Sequence, residues 1–422
     1  MKAKTVWKVI FLSGIGGMLE FYDFVIFAIF AYQLGIVFFP ADSTSLSTVY
    51  AFGIFAAGYL ARPIGGIIFG HFGDRYGRKT TFAVSISLMA ISTLLMGLIP
   101  GYHIWGVTAV ILFLLLRIIQ GLAIGGEIPG AITFVYEHVK SSARIGIGIL
   151  FFFINCGILL ASIVYTLIYH LLPLEIANSY GWRIAFIFGS VLAIIGYYLR
   201  KRLDETPEFV QFENRLRPAI PVVKLFKEHA PSVLAGSCLM VLMATVISMV
   251  LLYLVPYLEN LGTYSVAEIS RLHLFGLIVL PIFIIFWNYI AEKGVAQTKL
   301  YTWIVICFIV LLIPLFYEVA YHRYEWISYC ILIILSAGIA GLSPVILAEN
   351  FPVSVRYSGV AFGYNIAYAV FGGLTPLIAS WMYYENISHI APAWLLVIAS
   401  IIGLFGLALG FRYQKLQMKV AT

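Results

Sequence analysis

The chain has 422 residues, of which 62% are hydrophobic and 11% charged, whereas a soluble domain carries roughly 25% charged residues. Hydrocarbon excludes unpaired charge and demands long apolar runs, so the composition excludes an ordinary soluble domain and implies a polytopic membrane protein. The net charge of +7 is not a nucleic-acid signal, because its location decides its meaning.

Apolar segments long enough to cross a bilayer, ~20 residues each, recur along the whole chain. They lie at 9–38, 48–70, 80–99, 104–136, 145–171, 182–200, 233–258, 268–291, 299–317, 326–348, 357–383 and 392–413. The first follows Lys2, Lys4 and Lys8 and mimics a signal peptide, but it is too long and no Ala-x-Ala-like site ends it. The aromatic content of 16% suits interfacial belts. Cys156, Cys238, Cys307 and Cys330 all lie in apolar runs, with neither disulfide nor metal spacing. One long polar stretch, 200–231, separates spans six and seven. The expected organisation is all-α: an N-terminal six-helix bundle (1–200), a cytoplasmic linker (201–232) and a C-terminal six-helix bundle (233–422).

With the N-terminus in the cytoplasm, 21 of the 26 Lys and Arg fall on that side. Three (Arg183, Arg271 and Arg323) fall outside, and two (Arg62 and Arg117) fall within spans. This asymmetry follows the positive-inside rule. It places a multi-pass protein in the cell (inner) membrane with both termini cytoplasmic, and it needs no nucleic acid. An internal repeat supports two halves. Glu137 and Arg144 are seven residues apart between spans four and five, and Glu349 and Arg356 repeat this 212 residues later. Each Arg precedes a glycine-bearing helix containing an Asn (Asn155 and Asn365). Such duplication marks transporters with a midplane site between halves.

Spans two and three are joined by Gly70-His71-Phe72-Gly73-Asp74-Arg75-Tyr76-Gly77-Arg78-Lys79. This loop is similar to the one between helices two and three of the major facilitator superfamily. Ala61-Arg62-Pro63-Ile64-Gly65-Gly66 before it resembles the version in that superfamily's metabolite:proton symporters. Glu20-Phe21-Tyr22-Asp23-Phe24 looks like their first-helix motif, with Phe21 where Trp is usual. The fourth-helix motif is resembled by Arg117-Ile118-Ile119-Gln120-Gly121, running on to Gly125-Gly126-Glu127. Gly181-Trp182-Arg183-Ile184 and Arg202-Leu203-Asp204-Glu205-Thr206-Pro207-Glu208-Phe209 resemble the sixth-helix borders. Pro256-Tyr257-Leu258 and Phe351-Pro352 with Val355-Arg356-Tyr357-Ser358-Gly359 complete the match, which covers nearly the whole chain in order. The second half's copy of the loop, Asn288 to Gly294, is degenerate: it keeps Glu292-Lys293 and loses the Asp-Arg and Arg-Lys pairs. A weaker latch on that half is expected.

Ionisable side chains inside a bilayer are paired or functional by default. Glu20 and Asp23 are three apart and near one face of span one; Arg117 and Glu127 lie in span four. At ~1.5 Å per residue, Asp23 lies ~21 Å from the cytoplasmic edge and Arg117 ~20 Å from the outer edge of a ~30 Å core. By this count Glu20 is slightly closer to Arg117 in height. A carboxylate facing Arg117 is expected to act as a proton switch, ionised when the Arg is near and protonated when it withdraws. In the resembled porters an Asp at the place of Asp23 and an Arg at the place of Arg117 carry the coupling. Arg117 can instead clamp a substrate carboxylate, with Tyr22, Gln120, Asn155, Tyr253, Tyr257, Tyr364 and Asn365 as neutral lining. Glu127, ~15 Å below Arg117, is either a relay carboxylate or a member of a gate ion pair.

Asp74, Arg75, Arg78, Glu137, Arg144, Glu349 and Arg356 are expected to form a releasable cytoplasmic gate, with Gly73 and Gly77 turning the chain and Asp74 at the N-terminus of a facing helix. Surface pairs of ~0–1 kcal/mol each would suit such a gate. In the linker, Phe209, Phe212, Leu216, Leu225 and Phe226 are expected to anchor an amphipathic helix on the membrane. No cofactor, metal or nucleophile pattern appears. The expected function is alternating-access, proton-coupled symport of an amino acid, betaine or organic acid by a monomer, whose partners are substrate, protons and lipid. A proton-independent facilitator or sugar porter shares the loop motifs. A receptor or sensor built on a transporter fold would want a large appended domain, which no loop here holds.

Overall fold

The computed structural model describes residues 3–39, 44–213, 221–385 and 388–421. Among them, twelve helices are long and apolar enough to cross a membrane, and there is no strand. They are α1 (Val6–Ile29), α2 (Tyr50–Tyr76), α3 (Arg78–Leu98), α4 (Val107–His138), α5 (Ala143–Leu171) and α6 (Leu174–Lys201), then α7 (Ala230–Leu261), α8 (Val266–Glu292), α9 (Gln297–Ala320), α10 (Glu325–Glu349), α11 (Val353–Tyr383) and α12 (Ala391–Tyr413). Each apolar run forms a helix because in hydrocarbon a lone segment satisfies its backbone groups only that way.

Three boundaries differ from the hydropathy reading. The run 9–38 breaks at Phe30, and Ala31–Phe38 forms its own short helix. The run exceeds the ~20 residues a bilayer needs, and the surplus is equally apolar, so hydropathy carries no mark of the break. The helix containing α2 continues to Tyr76 and takes in Gly73 and Asp74. Gly77, at φ 115°, makes the turn alone. Gly73 is helical, and its missing Cβ leaves room for the Tyr357 ring. Helix α6 begins at Leu174, so Arg183 lies inside it rather than in an outer loop. Its guanidinium donates to the carbonyls of Gly97 and Ile99 at 2.9 and 2.8 Å, capping the end of α3.

Within the first half, α2 packs on α4, α1 on α5 and α3 on α6. Along α2 and α4, Gly121 meets the Gly58 carbonyl, Gly65 that of Leu122 and Gly125 that of Arg62. This is the backbone approach that small residues permit in membranes. In the second half α7 packs on α12 and α11, and α10 on α8 and α9. Helices α7 and α11 each contain a π-helical segment, Ser248–Tyr253 and Tyr368–Gly372, tied together where the Ser248 hydroxyl donates to the Gly372 carbonyl at 2.9 Å.

The halves meet along two seams, α5 on α8 and α2 on α11, with α4 also touching α11. Both seams close at the face carrying the Gly77 turn and the polar linker, called here the basic face. Helices Pro207–Glu213 and Pro221–Glu228 lie in that linker. Phe209 and Leu225 are buried, and Phe226 packs edge-on against Phe362 at 5.0 Å. Phe209 and Leu225 thus cover protein and not lipid, which overturns the expected membrane anchor for these two, whereas Phe226 stays exposed beside Phe362. The Phe212 side chain and Leu216 lie outside the described residues.

Candidate functional site

Asp23 is fully buried on α1. Its Oδ2 accepts from the Thr93 hydroxyl of α3 at 3.2 Å. Thr93 accepts from Gln120 Nε2 at 2.9 Å, and Gln120 Oε1 accepts from Arg117 on α4. Asp23 and Arg117 are therefore joined through two neutral side chains and do not face each other as expected. The reason is that α1 also brings Phe24 and Phe27 to Arg117. With Phe55 they surround its guanidinium at 4.6, 4.4 and 4.8 Å, a geometry in which ring faces attract the cation. Asp23 Oδ1 and two guanidinium nitrogens of Arg117, Nε and Nη2, have no hydrogen-bond partner. Gly189 of α6 lies against Asp23 Oδ1, where a Cβ would collide.

Glu20, one turn before Asp23, does not pair with Arg117 either. It lies 4.0 Å from Arg200 of α6, which forms an ion pair with Glu127. The Ser85 hydroxyl donates to Glu127, and the Arg200 guanidinium sits 3.8 Å above the Phe82 ring. Two carboxylates thus share one guanidinium, all buried within the first half.

Arg62 of α2 lies between the halves. Its Nε donates to Asn365 Oδ1 of α11 at 3.3 Å. Its guanidinium is 5.3 Å from the rings of Tyr59 and Tyr368, 5.7 Å from Phe24 and 5.8 Å from Tyr364. Asn365 Nδ2 donates to the Gly125 and Ala361 carbonyls at 2.6 and 2.8 Å.

The remaining expected lining residues are dispersed. Tyr22 donates to the Ala185 carbonyl at 3.0 Å, inside the first half. Asn155 donates to the Phe151 carbonyl of its own helix at 2.7 Å. Tyr253 and Tyr257 line an apolar cavity within the second half, with Phe308, Phe316 and Tyr329. The Tyr257 hydroxyl donates to the His389 carbonyl at 2.9 Å. None of these four joins Arg117.

At the basic face Asp74 accepts from the backbone N–H of Tyr357 and Ser358 at 3.2 and 2.9 Å, near the N-terminus of α11. Arg78 is 3.3 Å from Asp74, grips both Glu137 oxygens at 3.2 Å and donates to the Val353 carbonyl at 2.8 Å. Phe209 covers it, with its ring 4.4 Å from the guanidinium. Glu137 also pairs with Arg356 at 3.0 Å and accepts from the Thr206 hydroxyl at 2.6 Å. Glu208 binds Arg356 and Lys140, each at 2.6 Å. Partial burial pushes the Glu208 carboxyl up, but the hydrogen bonds and charges of Lys140 and Arg356 outweigh it and hold it below its usual value.

On the second seam Arg144 donates to Gln297 Oε1 at 2.9 Å and to the Ala291 carbonyl at 3.3 Å, and the Ile145 N–H donates to Glu292 at 3.4 Å. Arg144 also acts electrostatically on Glu349. Arg75 is exposed, over the Tyr76 ring. Asp74, Arg78 and Glu137 are buried, so the expectation of weak surface pairs does not hold for them.

Residues 9–229 match the model of the sugar (and other) transporter family. The proline/betaine transporter of Salmonella typhimurium is 32% identical over 424 residues, covering 94% of this chain and 82% of that protein. The chain belongs to the major facilitator superfamily. The glycine betaine/proline/ectoine/pipecolic acid transporter OusA of Dickeya dadantii is 31% identical over 416 residues, covering 94% of this chain and 81% of that one. A solved structure of the proton:xylose symporter XylE, bound to 6-bromo-6-deoxy-D-glucose, superposes with a TM-score of 0.77 over 98% of this chain and 96% of its own. At 17% identity it speaks for the fold alone. The protein is thus a multi-pass membrane transporter and not an enzyme.

Sequence reasoning missed four side chains of this transporter. Arg200 opens the polar stretch 200–231 in the sequence, yet it is buried in the last turn of α6. Ser85 and Thr93 carried a signal, because hydroxyls eight residues apart share one face of a helix. Tyr59 lies one turn before Arg62, and the spacing alone placed it beside that guanidinium.

Proposed function

We propose that this transporter moves a small carboxylate-bearing metabolite of the amino acid or betaine class together with protons, by alternating access. The buried chain from Asp23 through Thr93 and Gln120 to Arg117 carries this reading. It places a carboxyl and a guanidinium in one hydrogen-bonded system deep in the first half, with unpartnered atoms at both ends. In the conformation described, three ring faces hold the Arg117 charge away from Asp23. We read this as the proton-loaded arrangement, since a lone buried carboxylate is costly. Movement of Arg117 toward Asp23 would release the proton. The names of the relatives, proline/betaine and glycine betaine/proline/ectoine/pipecolic acid transporters, support the substrate class. The positive-inside rule makes the basic face cytoplasmic, so the latch there closes the path to the cell interior.

The test is uptake of proline and glycine betaine into proteoliposomes with an imposed pH gradient. The transporter should accumulate one of them only with the gradient present. Asp23→Asn should abolish accumulation and retain counterflow exchange. Gradient-driven accumulation by Asp23→Asn would refute the assignment, and uptake indifferent to the gradient would indicate a facilitator.

A further inference from the structure

We infer that Arg62, and not Arg117, receives the carboxylate of the transported metabolite, and that the rings of Tyr59, Tyr364 and Tyr368 receive its cationic nitrogen. This rests on the proposed zwitterion transport and names the groups that would recognise the zwitterion.

Arg62 is 1% exposed, and among the described residues no carboxylate forms an ion pair with it. Its Nη2 has no hydrogen-bond partner. Glu20 acts on it only at a distance; a buried charge without a counter-ion in contact is costly, and four ring faces at ~0.5–2 kcal/mol each offset only part of that. A guanidinium fork with a free edge is a receptor for a carboxylate, which it binds bidentately.

Position separates Arg62 from Arg117. The rings around Arg117 come from α1 and α2 alone. A ligand there would touch one half, whereas alternating access needs a ligand that bonds differently to both. Around Arg62, Phe24 and Tyr59 come from the first half, and Tyr364, Tyr368 and Asn365 from the second. Tyr364 and Tyr368 stack at 4.5 Å with an 18° interplanar angle. Gly66 allows the seam to close here, since a Cβ would lie 2.7 Å from Asn365 Nδ2. The box already accommodates a planar cation, and an ammonium or quaternary nitrogen makes the same kind of ring contact.

The location also connects binding to the proton site. The Phe24 ring lies 5.7 Å from the Arg62 guanidinium and 4.6 Å from that of Arg117. Phe24 directly follows Asp23. A carboxylate that draws Arg62 away from Asn365 and Phe24 therefore loosens a bond between the halves and changes one wall of the Arg117 cage together.

The experiment measures binding of three probes to the purified full chain by thermal shift: glycine betaine, L-proline, and choline, which keeps the quaternary nitrogen and lacks the carboxylate. The wild type should prefer betaine over choline. Arg62→Gln should weaken betaine at least ~30-fold, as expected for loss of one partner of a buried charge pair, and leave choline unchanged. Arg62→Lys keeps the charge without the fork and should recover part of the preference. If Arg62→Gln gives no folded protein, Arg62→Lys carries the test through a reduced betaine-to-choline ratio. A ratio unchanged in either variant, or lost in Arg117→Gln instead, overturns the assignment to Arg62. A wild type that binds neither betaine nor proline overturns the zwitterion reading itself and this inference with it.

Discussion

Replacing Asp74 by Asn tests whether the basic face is held shut by a helix N-terminus. Asp74 accepts two backbone bonds from the first turns of α11, at 3.2 and 2.9 Å, and is buried. Bonds to a charged acceptor are worth ~1.5–3 kcal/mol each, and the charge gains a further ~0.3–2 kcal/mol from the helix dipole. Asn keeps the shape and one acceptor oxygen but turns an NH2 toward the other N–H and loses the charge. The loss should be ~2–4 kcal/mol, or ~30- to 1000-fold in the closed-to-open equilibrium. Conformers of such a protein differ by only a few kcal/mol, so the open population should dominate or become large. The assay is a distance distribution between labels at Tyr76→Cys and Val295→Cys, exposed positions on the two halves, after replacement of the four native cysteines. Asp74→Asn should add a longer distance without substrate. Glu292, whose single bond to Ile145 is 3.4 Å long, offers the internal contrast. Glu292→Gln should shift the equilibrium by under ~1 kcal/mol. Identical distributions for wild type and Asp74→Asn would refute the reasoning.

Other consequences concern packing, buried charge and pH. Gly121→Ala drives a Cβ into the Gly58 carbonyl, whereas Gly53→Ala meets nothing within 4 Å. The first should cost ~1–3 kcal/mol and lower Tm, the second should leave Tm unchanged, and equal Tm values would contradict the backbone contact. Arg200→Met leaves Glu20 and Glu127 without their shared cation and should destabilise by ~3–5 kcal/mol. Adding Glu20→Gln and Glu127→Gln should restore much of this in thermal unfolding, and no recovery would rule out the triad as the cause. Glu208 is held below its usual value by Lys140 and Arg356, so its contribution is complete above the unfolded carboxylate value of ~4.3 and fades as pH falls through the folded one. Glu208 should therefore stay ionised between pH 5.5 and 8 and add no pH dependence to label distances at the basic face. A pH-dependent opening within that window that disappears in Glu208→Gln would contradict the ion-pair geometry.

The fold was legible because hydrocarbon imposes a one-dimensional rule, long apolar runs, and the basic residues mark one face. The same rule made Asp23, Arg117 and Arg62 conspicuous as charges within spans. Their partners were not legible. Depth along a helix can be counted, which put Asp23 and Arg117 at similar heights, but the rotation of α1 about its axis decides whether a carboxylate or Phe24 and Phe27 face Arg117. That rotation is set by packing against α4, α5 and α6, which no local pattern reports. Arg200 was misplaced for a related reason, since a charge at the end of an apolar run reads as the start of a loop.

The repeat shows what is hidden most clearly. In sequence, Glu137 belongs with Arg144 and Glu349 with Arg356. In the structure Glu137 binds Arg356, and Arg144 acts on Glu349, so each copy's acid works with the other copy's base. Charges placed at equivalent corners of two related halves come together only when the halves close face to face. Their pairing is therefore a property of the interface and not of either repeat. The degenerate second loop then acquires a physical meaning. Asp74 and Glu292 take matching roles, bonding Tyr357 on α11 and Ile145 on α5. Asp74 does so with two bonds and a buried Arg78 beside it, and Glu292 with one long bond. The two carboxylates are therefore unequal: Asp74 holds the α2–α11 seam, whereas the α5–α8 side leans on Arg144 and its bonds to Gln297 and Ala291 rather than on Glu292.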